Sequence, residues 1–168
     1  MYSVMPTQAF GDPVPEGRAA DIVRGVQRMM GELGFATLTE MTLASGRRAD
    51  IVAISGKGEI VIVEVKSCLT DYATDQKWPE YAAFCDRFFF AVDTDFPHER
   101  LPECEGYIVA DQFGGAIVRD ANEDRLSAAR RKALTLSFAR LAAARLLRVV
   151  TGDPAAQVNG VPIESPED

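Results

Sequence analysis

Two apolar runs, RADIVAIS (48–55) and EIVIVEVKS (59–67), constrain the fold of this chain more than any other feature. Both are rich in β-branched residues, and the short glycine-containing break between them is typical of a β-hairpin. The hairpin nevertheless carries Asp50, Glu64 and Lys66, and ionised side chains are rarely buried unless they are paired or bind a metal ion. These three residues therefore need an explanation other than core packing.

The length of the turn predicts which residues of the hairpin face each other. If Lys57 is the turn centre, the numbers of paired residues sum to 114, so Asp50 should lie opposite Glu64. Directly opposed residues have Cβ atoms about 4.5–5.5 Å apart, and like charges there repel unless something positive lies between them. Glu64 and Lys66 should share one side of the strand, with Val65 turned away. A bulge in the turn would shift this register by one residue.

Two carboxylates and one ammonium group at the end of a hairpin are typical of a site for a hard divalent cation. Mg²⁺ takes oxygen ligands and keeps several waters, so Asp50, Glu64 and the backbone carbonyl of Val65 are the predicted ligands. Lys66 would then lie near the attacking water or a substrate phosphate, where it can stabilise developing negative charge. The alternative is that these are ordinary strand-end residues paired to solvent or to neighbouring arginines.

The rest of the chain predicts one α/β domain at 16–150, with an arm at 1–15 and a tail at 151–168. The predicted elements are a helix over 16–33, strands over 37–43, 48–55 and 59–67, a turn or short helix within 71–85 leading into a helix that begins near Trp78 or Pro79, strands over 87–93, 106–111 and 115–121, and a helix over 123–149. A three-strand meander followed by a helical crossover to a covered strand gives a mixed sheet with helices packed on it.

Composition limits the class of protein. The 168 residues are 47% apolar and 26% charged, as in a globular domain. No run approaches the roughly 18 apolar residues of a membrane span, and no secretory signal is expected at the start. The three cysteines are widely spaced, which argues against a disulfide framework or a thiolate zinc site and favours a reducing cytoplasm. There is no glycine-rich phosphate loop, so a nucleotide cofactor is not expected.

Charge is distributed unevenly along the chain. The net charge is −7, yet the segment from Arg125 to Arg148 has seven basic residues and no acidic one, so the remainder carries −14. A basic pole on an acidic body can still meet phosphate. The predicted apolar stripe of this last helix is formed by Leu126, Ala129, Ala133, Phe138, Leu141 and Leu147. Its outward arginines form either a solvated basic face or a face that follows phosphates.

The hairpin also carries a resemblance to known proteins. Asp50, thirteen intervening residues and Glu64-Val65-Lys66 resemble the signature of the PD-(D/E)XK nuclease superfamily. More closely, the stretch from RRADIVAIS to FFFAVD (47–93) is similar to the MmcB-like bacterial DNA repair proteins, over roughly 16–150. The resemblance implies a restriction-endonuclease-like mixed sheet with flanking helices. It has an α-βββ-α-β core, to which a terminal hairpin and a long C-terminal helix are added.

The same resemblance implies a phosphodiesterase that acts on DNA during repair with Mg²⁺ or Mn²⁺. Asp50 and Glu64 would be metal ligands and Lys66 the catalytic lysine. The superfamily often adds an acidic residue from the first helix or first strand. Glu40 is the candidate for that ligand, with the acidic residues of the first helix, Glu16 and Glu32, behind it.

Further DNA-binding candidates surround the motif. Gln76 and Tyr81, five residues apart with Pro79 between them, resemble a Gln–Tyr pair found after the lysine in many such nucleases. Trp78 and Tyr81 can stack on bases or pack in the core. Lys77, with Asp71 and Asp75, either flanks the cleft or belongs to a charged turn. Arg47 and Arg48 either position a phosphate or neutralise the carboxylates.

The leading hypothesis is an Mg²⁺-dependent endo- or exodeoxyribonuclease that acts in DNA repair. The alternative is a catalytically inactive, nuclease-like accessory protein that binds DNA or a repair partner, and a third is a purely structural partner-binding protein. DNA is the expected partner and a membrane is not. A homodimer stays open, because many enzymes that cut both strands of a duplex act as dimers. The expected location is cytoplasmic.

Overall fold

The computed structural model describes residues 17–68, 72–73 and 77–154, which contain a six-stranded mixed sheet covered by helices. The elements are α1 (Arg18–Glu32), β1 (Phe35–Thr42), β2 (Arg48–Ser55), β3 (Ile60–Lys66), a 3-10 helix (Trp78–Phe84), β4 (Arg87–Val92), a short 3-10 helix (His98–Arg100), β5 (Gly106–Ala110), β6 (Gly115–Arg119) and α2 (Ala128–Thr151). The strands lie in chain order across the sheet. Strands β1 to β3 form an antiparallel meander, β4 and β5 continue parallel to β3, and β6 returns antiparallel to β5. The predicted α/β class is confirmed, and the sheet is consistent with a restriction-endonuclease-like fold.

The central strands are covered on both faces, which explains their nearly continuous apolar sequences. One face packs against α1 through Ile22, Val26, Met29, Met30, Ile51, Ala53, Val61, Val63, Phe89, Ala91 and Ile108. The opposite face packs against the 3-10 helix and α2 through Val52, Ile60, Ile62, Tyr81, Phe88, Phe90, Val92 and Leu134. Fully burying one such side chain contributes about 1.5–3 kcal/mol, so these two layers hold the hairpin rigidly in place.

The regular helix predicted to begin near Trp78 or Pro79 is wrong in type, because this segment is a 3-10 helix. Its tighter winding is visible in the bond from the Glu80 N–H to the Lys77 carbonyl, three residues back. Side chains three residues apart eclipse in a 3-10 helix. Trp78 and Tyr81 can therefore both stack on Phe88, with ring centroids 5.8 and 6.2 Å away.

The terminal helix begins at Ala128 and not near Glu123. The residues before it are held in an irregular path by Asp86, whose carboxylate accepts the Leu126 N–H at 2.9 Å. Ser127 then caps the helix, because its side chain accepts from the Arg130 N–H. Charged residues of the predicted first turn are thus outside the helix, and the cap sets the true start.

Asp86 also fixes α2 to the hairpin that carries the site. Its carboxylate, which is only 2% exposed, accepts two bonds of 2.6 Å from Arg131 and one of 2.7 Å from the Ile60 N–H. Arg131 donates in addition to the Gly58 carbonyl in the β2–β3 turn. Burial raises the pKa of Asp86, but the bonds from Arg131 and from the backbone outweigh burial, so the pKa is lowered overall.

Candidate functional site

The register predicted for the β2–β3 hairpin is confirmed. Ile51 pairs with Val63 and Ile54 with Ile60, which gives the expected sum of 114 and no shift by a bulge. The turn reaches this register because Gly58 takes a positive φ of 83°, which favours glycine. The charged residues at the open end of the hairpin therefore lie where the spacing placed them.

At that open end, two carboxylates take over the hydrogen bonding from the regular ladder. The described β2–β3 pairs end at Ile51–Val63. Beyond them, Glu64 Oε1 accepts from the Asp50 N–H at 3.2 Å, and Asp50 Oδ2 accepts from the Val65 N–H at 2.8 Å. Each carboxylate is thus bonded to the backbone of the opposite strand, which holds both at the same end of the hairpin.

Lys66 follows on the same side of β3 as Glu64. The two side chains are strongly buried, with Glu64 4% and Lys66 6% exposed. Alternation along the strand puts them on the face that carries Ile62, toward the 3-10 helix and α2. The structure therefore groups Asp50, Glu64 and Lys66, the three residues that the sequence selected as catalytic.

The surroundings of Asp50 raise the pKa of its carboxyl group above the ordinary value. Burial is the largest cause and raises the pKa of its carboxyl group, and the nearby charge of Glu40 raises it further. The Val65 N–H, Lys66 and Arg48 all lower the pKa, but together they do not compensate. An added cation at this place would reverse the balance, because it would favour the ionised carboxylate.

Glu40 occupies an unusual position beside this pair. Among the described residues, it alone of the non-glycine residues has a positive φ, of 52°. The β1–β2 pairs Thr39–Ile51 and Met41–Ala49 flank it without including it. A non-glycine residue in the left-handed region costs about 1–2 kcal/mol, and such residues are frequent at functional sites. Its carboxylate forms an ion pair with Arg48.

The donor set fits a hard cation that keeps much of its water. Within the described ranges, no group of three or more His, Cys, Asp or Glu side chains is arranged to hold a metal ion, so Glu40 does not complete a three-carboxylate cage. Mg²⁺ is commonly bound by one or two carboxylates, with waters and substrate phosphates as the other ligands. Asp50 and Glu64 meet that smaller requirement, whereas a structural zinc site would need four closed ligands.

The two arginines before Asp50 both pair with carboxylates. Arg47 makes a bidentate pair with Glu80 at 2.8 and 2.9 Å, and Arg48 pairs with Glu40. Arg47 thereby ties the β1–β2 loop to the 3-10 helix. These ion pairs are with Glu80 and Glu40 and not with Asp50 or Glu64, so the predicted roles of both arginines stay predictions.

The aromatic candidates are built into the core. Trp78 is half-buried and stacks on Phe88, and Tyr81 is buried on the same ring. The Tyr81 hydroxyl donates to the Arg48 carbonyl at 3.1 Å, two residues before Asp50. Their rings therefore follow the core-packing alternative, and Tyr81 supports the strand that carries the site.

The remaining predicted residues divide between exposed and undescribed positions. Lys77 is exposed before the 3-10 helix, and Glu32 is exposed at the end of α1. Gln76, Glu16, Asp71 and Asp75 lie outside the described residues. Their predicted roles stay predictions.

A groove between β1 and α2 adjoins Glu40, and sequence reasoning missed it. One cavity of about 600 Å³ and a second of about 290 Å³ share Met41, Thr42 and Ser137, so they follow each other along the helix. The larger one is also lined by Arg130, and the smaller one by Glu40, Arg140, Leu141 and Ala144. The basic segment 125–148 was the sequence signal for this groove. The packing of that segment beside β1 could not be predicted, because it is a tertiary contact between distant parts of the chain.

The geometry first defines a class: a mixed-sheet α/β protein with a half-buried aspartate, a buried glutamate and a buried lysine at the open end of its central hairpin. The chain belongs to the MmcB-like family, since a family model described as DNA repair protein MmcB-like matches residues 8–153. It is also similar to a solved structure, the SPO1766 protein of unknown function from Silicibacter pomeroyi. The two share 40% identity and a TM-score of 0.80, over 83% of this chain and 95% of the other. No curated protein matches the chain.

No helix in the described ranges is both long enough and apolar enough to cross a bilayer.

Proposed function

We propose that this protein is a Mg²⁺- or Mn²⁺-dependent nuclease of the PD-(D/E)XK type that hydrolyses phosphodiester bonds in DNA during repair. The reciprocal bonding of Asp50 and Glu64 across the end of the hairpin, with Lys66 beside them, is the observation that carries the proposal. Membership of the MmcB-like family supplies the DNA repair context.

In this proposal each residue has a separate task. Asp50, Glu64 and the Val65 carbonyl would hold the cation, which when bound polarises a phosphoryl oxygen and makes water a better nucleophile. Lys66 would orient the attacking water or stabilise the negative charge that develops on the phosphoryl oxygens as the P–O bond to the leaving group breaks. Burial of Lys66 strengthens that interaction, because water screens it less there.

The groove between β1 and α2 would hold part of the DNA. Arg130 and Arg140 line it and supply positive charge for phosphates, and Glu40 joins it to the carboxylate pair. Helix α2 contains no acidic residue, which suits a phosphate-contacting surface on an otherwise acidic chain. Arg140→Ala should weaken DNA binding at every sequence and reduce the slope of log K against log salt by about 1.

Cleavage of labelled duplex, nicked, branched and single-stranded DNA tests the proposal directly. Product should form with Mn²⁺ and not with EDTA, and Asp50→Asn should slow it by about 10²–10³-fold, as when one group that stabilises the transition state is removed. Glu59→Gln is the matched control, because it removes a carboxylate at the turn end of the same hairpin, where Glu59 pairs with Arg87. Equal rates in the wild type and Asp50→Asn would exclude the proposed site.

A second function, DNA binding without cleavage, is favoured by one observation. Glu64 and Lys66 are almost inaccessible, so a phosphate cannot reach them unless the surrounding residues move. This accessory role predicts salt-sensitive DNA binding with no metal-dependent product on any of the DNA structures above. A product that requires both Mn²⁺ and Asp50 would reject it.

A further inference from the structure

Helix α2 carries two apolar faces, and only one of them is used by the fold. Leu134, Phe138 and Leu141 face the sheet and belong to the core or pack against it. On the other side, Leu146 is 62% and Val150 73% exposed. Contiguous exposed apolar surface of this kind marks an interaction site more often than isolated exposed residues do.

The exposed face has the spacing of a helix–helix contact. Leu136, Ala139, Ala143, Leu146 and Val150 follow one another at intervals of three, four, three and four residues, and all five are exposed. This is the a/d pattern by which two helices pack with knobs into holes. At about 100° per residue the stripe points away from Leu134 and Leu141, so it cannot contribute to the same core.

We propose that the exposed stripe of α2 is a homodimer interface, on which α2 of a second copy packs antiparallel about a two-fold axis at Ala143. In this arrangement Leu136 faces Val150 of the second copy, and Ala139 faces Leu146 or Leu147. Large side chains thus meet smaller ones, and Ala143 meets its own copy, where small residues allow close approach. A two-fold axis makes every contact other than that of Ala143 with its own copy occur twice.

Charge favours the antiparallel direction. Lys132, the one charged residue on the line of the stripe, would lie next to the carboxylate of Asp153 from the second copy, just beyond the end of its α2. A parallel pair would instead place Lys132 against Lys132, and α2 has no acidic residue to offset this repulsion. Antiparallel helices also bring opposite ends of the helix dipoles together.

A second copy suits the stripe better than DNA. Phosphates need cations along their path, and this stripe has only Lys132. The cations Arg130 and Arg145 instead turn inward, where they donate to the Ala83 and Glu40 carbonyls. The dimer would hold two copies of the carboxylate site, although the interface does not depend on what that site does.

Sedimentation of the full chain tests the interface. At about 100 µM, well above the micromolar Kd range of modest interfaces, the wild type should sediment as a dimer. Leu146→Glu should raise the dimer Kd about 30-fold or more, as for a central apolar contact. Leu33→Glu is the control, because Leu33 is 55% exposed at the distant end of α1 and should leave the dimer unchanged.

Cross-linking tests the direction, in a Cys68→Ser, Cys104→Ser background that removes the exposed thiols. A mixture of Leu136→Cys and Val150→Cys chains should form a heterodimeric disulfide, whereas Leu136→Cys alone should not. Lys132→Glu should weaken the dimer, and adding Asp153→Lys should restore it. A monomeric wild type, a dimer insensitive to Leu146→Glu, or α2-dependent binding of a monomer to phosphatidylcholine–phosphatidylserine vesicles would each overturn the proposal.

Discussion

Asp50 lies in β2 and Asp86 directly precedes β4, and their surroundings shift the pKa values of the two carboxyl groups in opposite directions. Asp86 accepts bonds from Arg131 and from the Ile60 and Leu126 N–H groups, and its pKa is lowered despite burial. Asp50 accepts from the Val65 N–H beside other carboxylates, and its pKa is raised, chiefly by burial. The folded surroundings therefore favour the anionic form of Asp86 more than water does, and they favour the anionic form of Asp50 less than water does. The difference separates a carboxylate that holds the fold together from one whose surroundings fit the proposed cation site.

The largest effect is expected at Asp86. Asp86→Ala would leave the half-buried Arg131 and two backbone N–H groups without their acceptor, and breaking one partner of a buried pair costs about 3–5 kcal/mol. The stability that the lowered pKa of Asp86 supplies is present above its unfolded pKa and is lost as pH falls through the folded pKa. Urea unfolding near neutral pH measures the loss. Asp95→Ala, at an exposed aspartate, is the control, and a loss no larger than that control would show that Asp86 is not structural.

The stabilising effect of a divalent cation should depend on Asp50 and not on Asp86. Since protons compete with metal for Asp50, whose pKa is raised, Mn²⁺ should stabilise the protein more as pH rises through that pKa. At a metal concentration of 100 times Kd the stabilisation should reach about 2.7 kcal/mol. Thermal melts with Mn²⁺ or EDTA, at about pH 5 and pH 8, measure it. Asp50→Asn should abolish the stabilisation and Asp86→Asn should keep it, whereas equal stabilisation in Asp50→Asn would place the ion elsewhere.

The hairpin could be predicted because its determinants are local. Strand alternation and a three-residue turn suffice to place Asp50 beside Glu64, and the register follows from the sequence alone. The same reasoning did not find Asp86, although its bond to Arg131 spans 45 residues and organises one side of the hairpin. As a single aspartate before a strand, Asp86 has no pattern that distinguishes it from a surface residue.

The surroundings of the site depend on tertiary contacts in the same way. The positive φ of Glu40 interrupts an ordinary strand sequence, and nothing in TLTEMTL indicates it. The type of the helix at Trp78 depends on two rings that stack on Phe88, a residue of a later strand. Helix propensity alone therefore predicted the presence of the helix but not its winding.

A smaller effect is expected where the 3-10 helix supports the site. Tyr81→Phe keeps the ring on Phe88 but removes the hydroxyl that donates to the Arg48 carbonyl, which should cost about 1 kcal/mol. Because Arg48 precedes the site by two residues, this variant should also weaken Mn²⁺ binding measured by calorimetry. Tyr107→Phe, a buried tyrosine on β5, is the control. Unchanged stability and metal affinity in Tyr81→Phe would limit Tyr81 to ring packing.

The smallest predicted effect is a gain in the stability of the folded chain, whereas the variants at Asp86 and Tyr81 lose stability. It is also the closest test of the difference between Asp50 and Asp86. The folded pKa of Asp50 is raised, so without metal the chain loses stability as pH rises from the unfolded pKa, about 3.9, through the folded pKa. Asp50→Asn cannot ionise, yet its amide oxygen can still accept from the Val65 N–H. In EDTA near pH 7 it should therefore be more stable than the wild type by about 0.5 kcal/mol, the order of cross-strand charge interactions. The difference should vanish well below the unfolded pKa of about 3.9, where Asp50 is protonated in both states. If urea unfolding shows Asp50→Asn to be the less stable at neutral pH, then Lys66 and Arg48 already balance Asp50, and it is a structural carboxylate like Asp86.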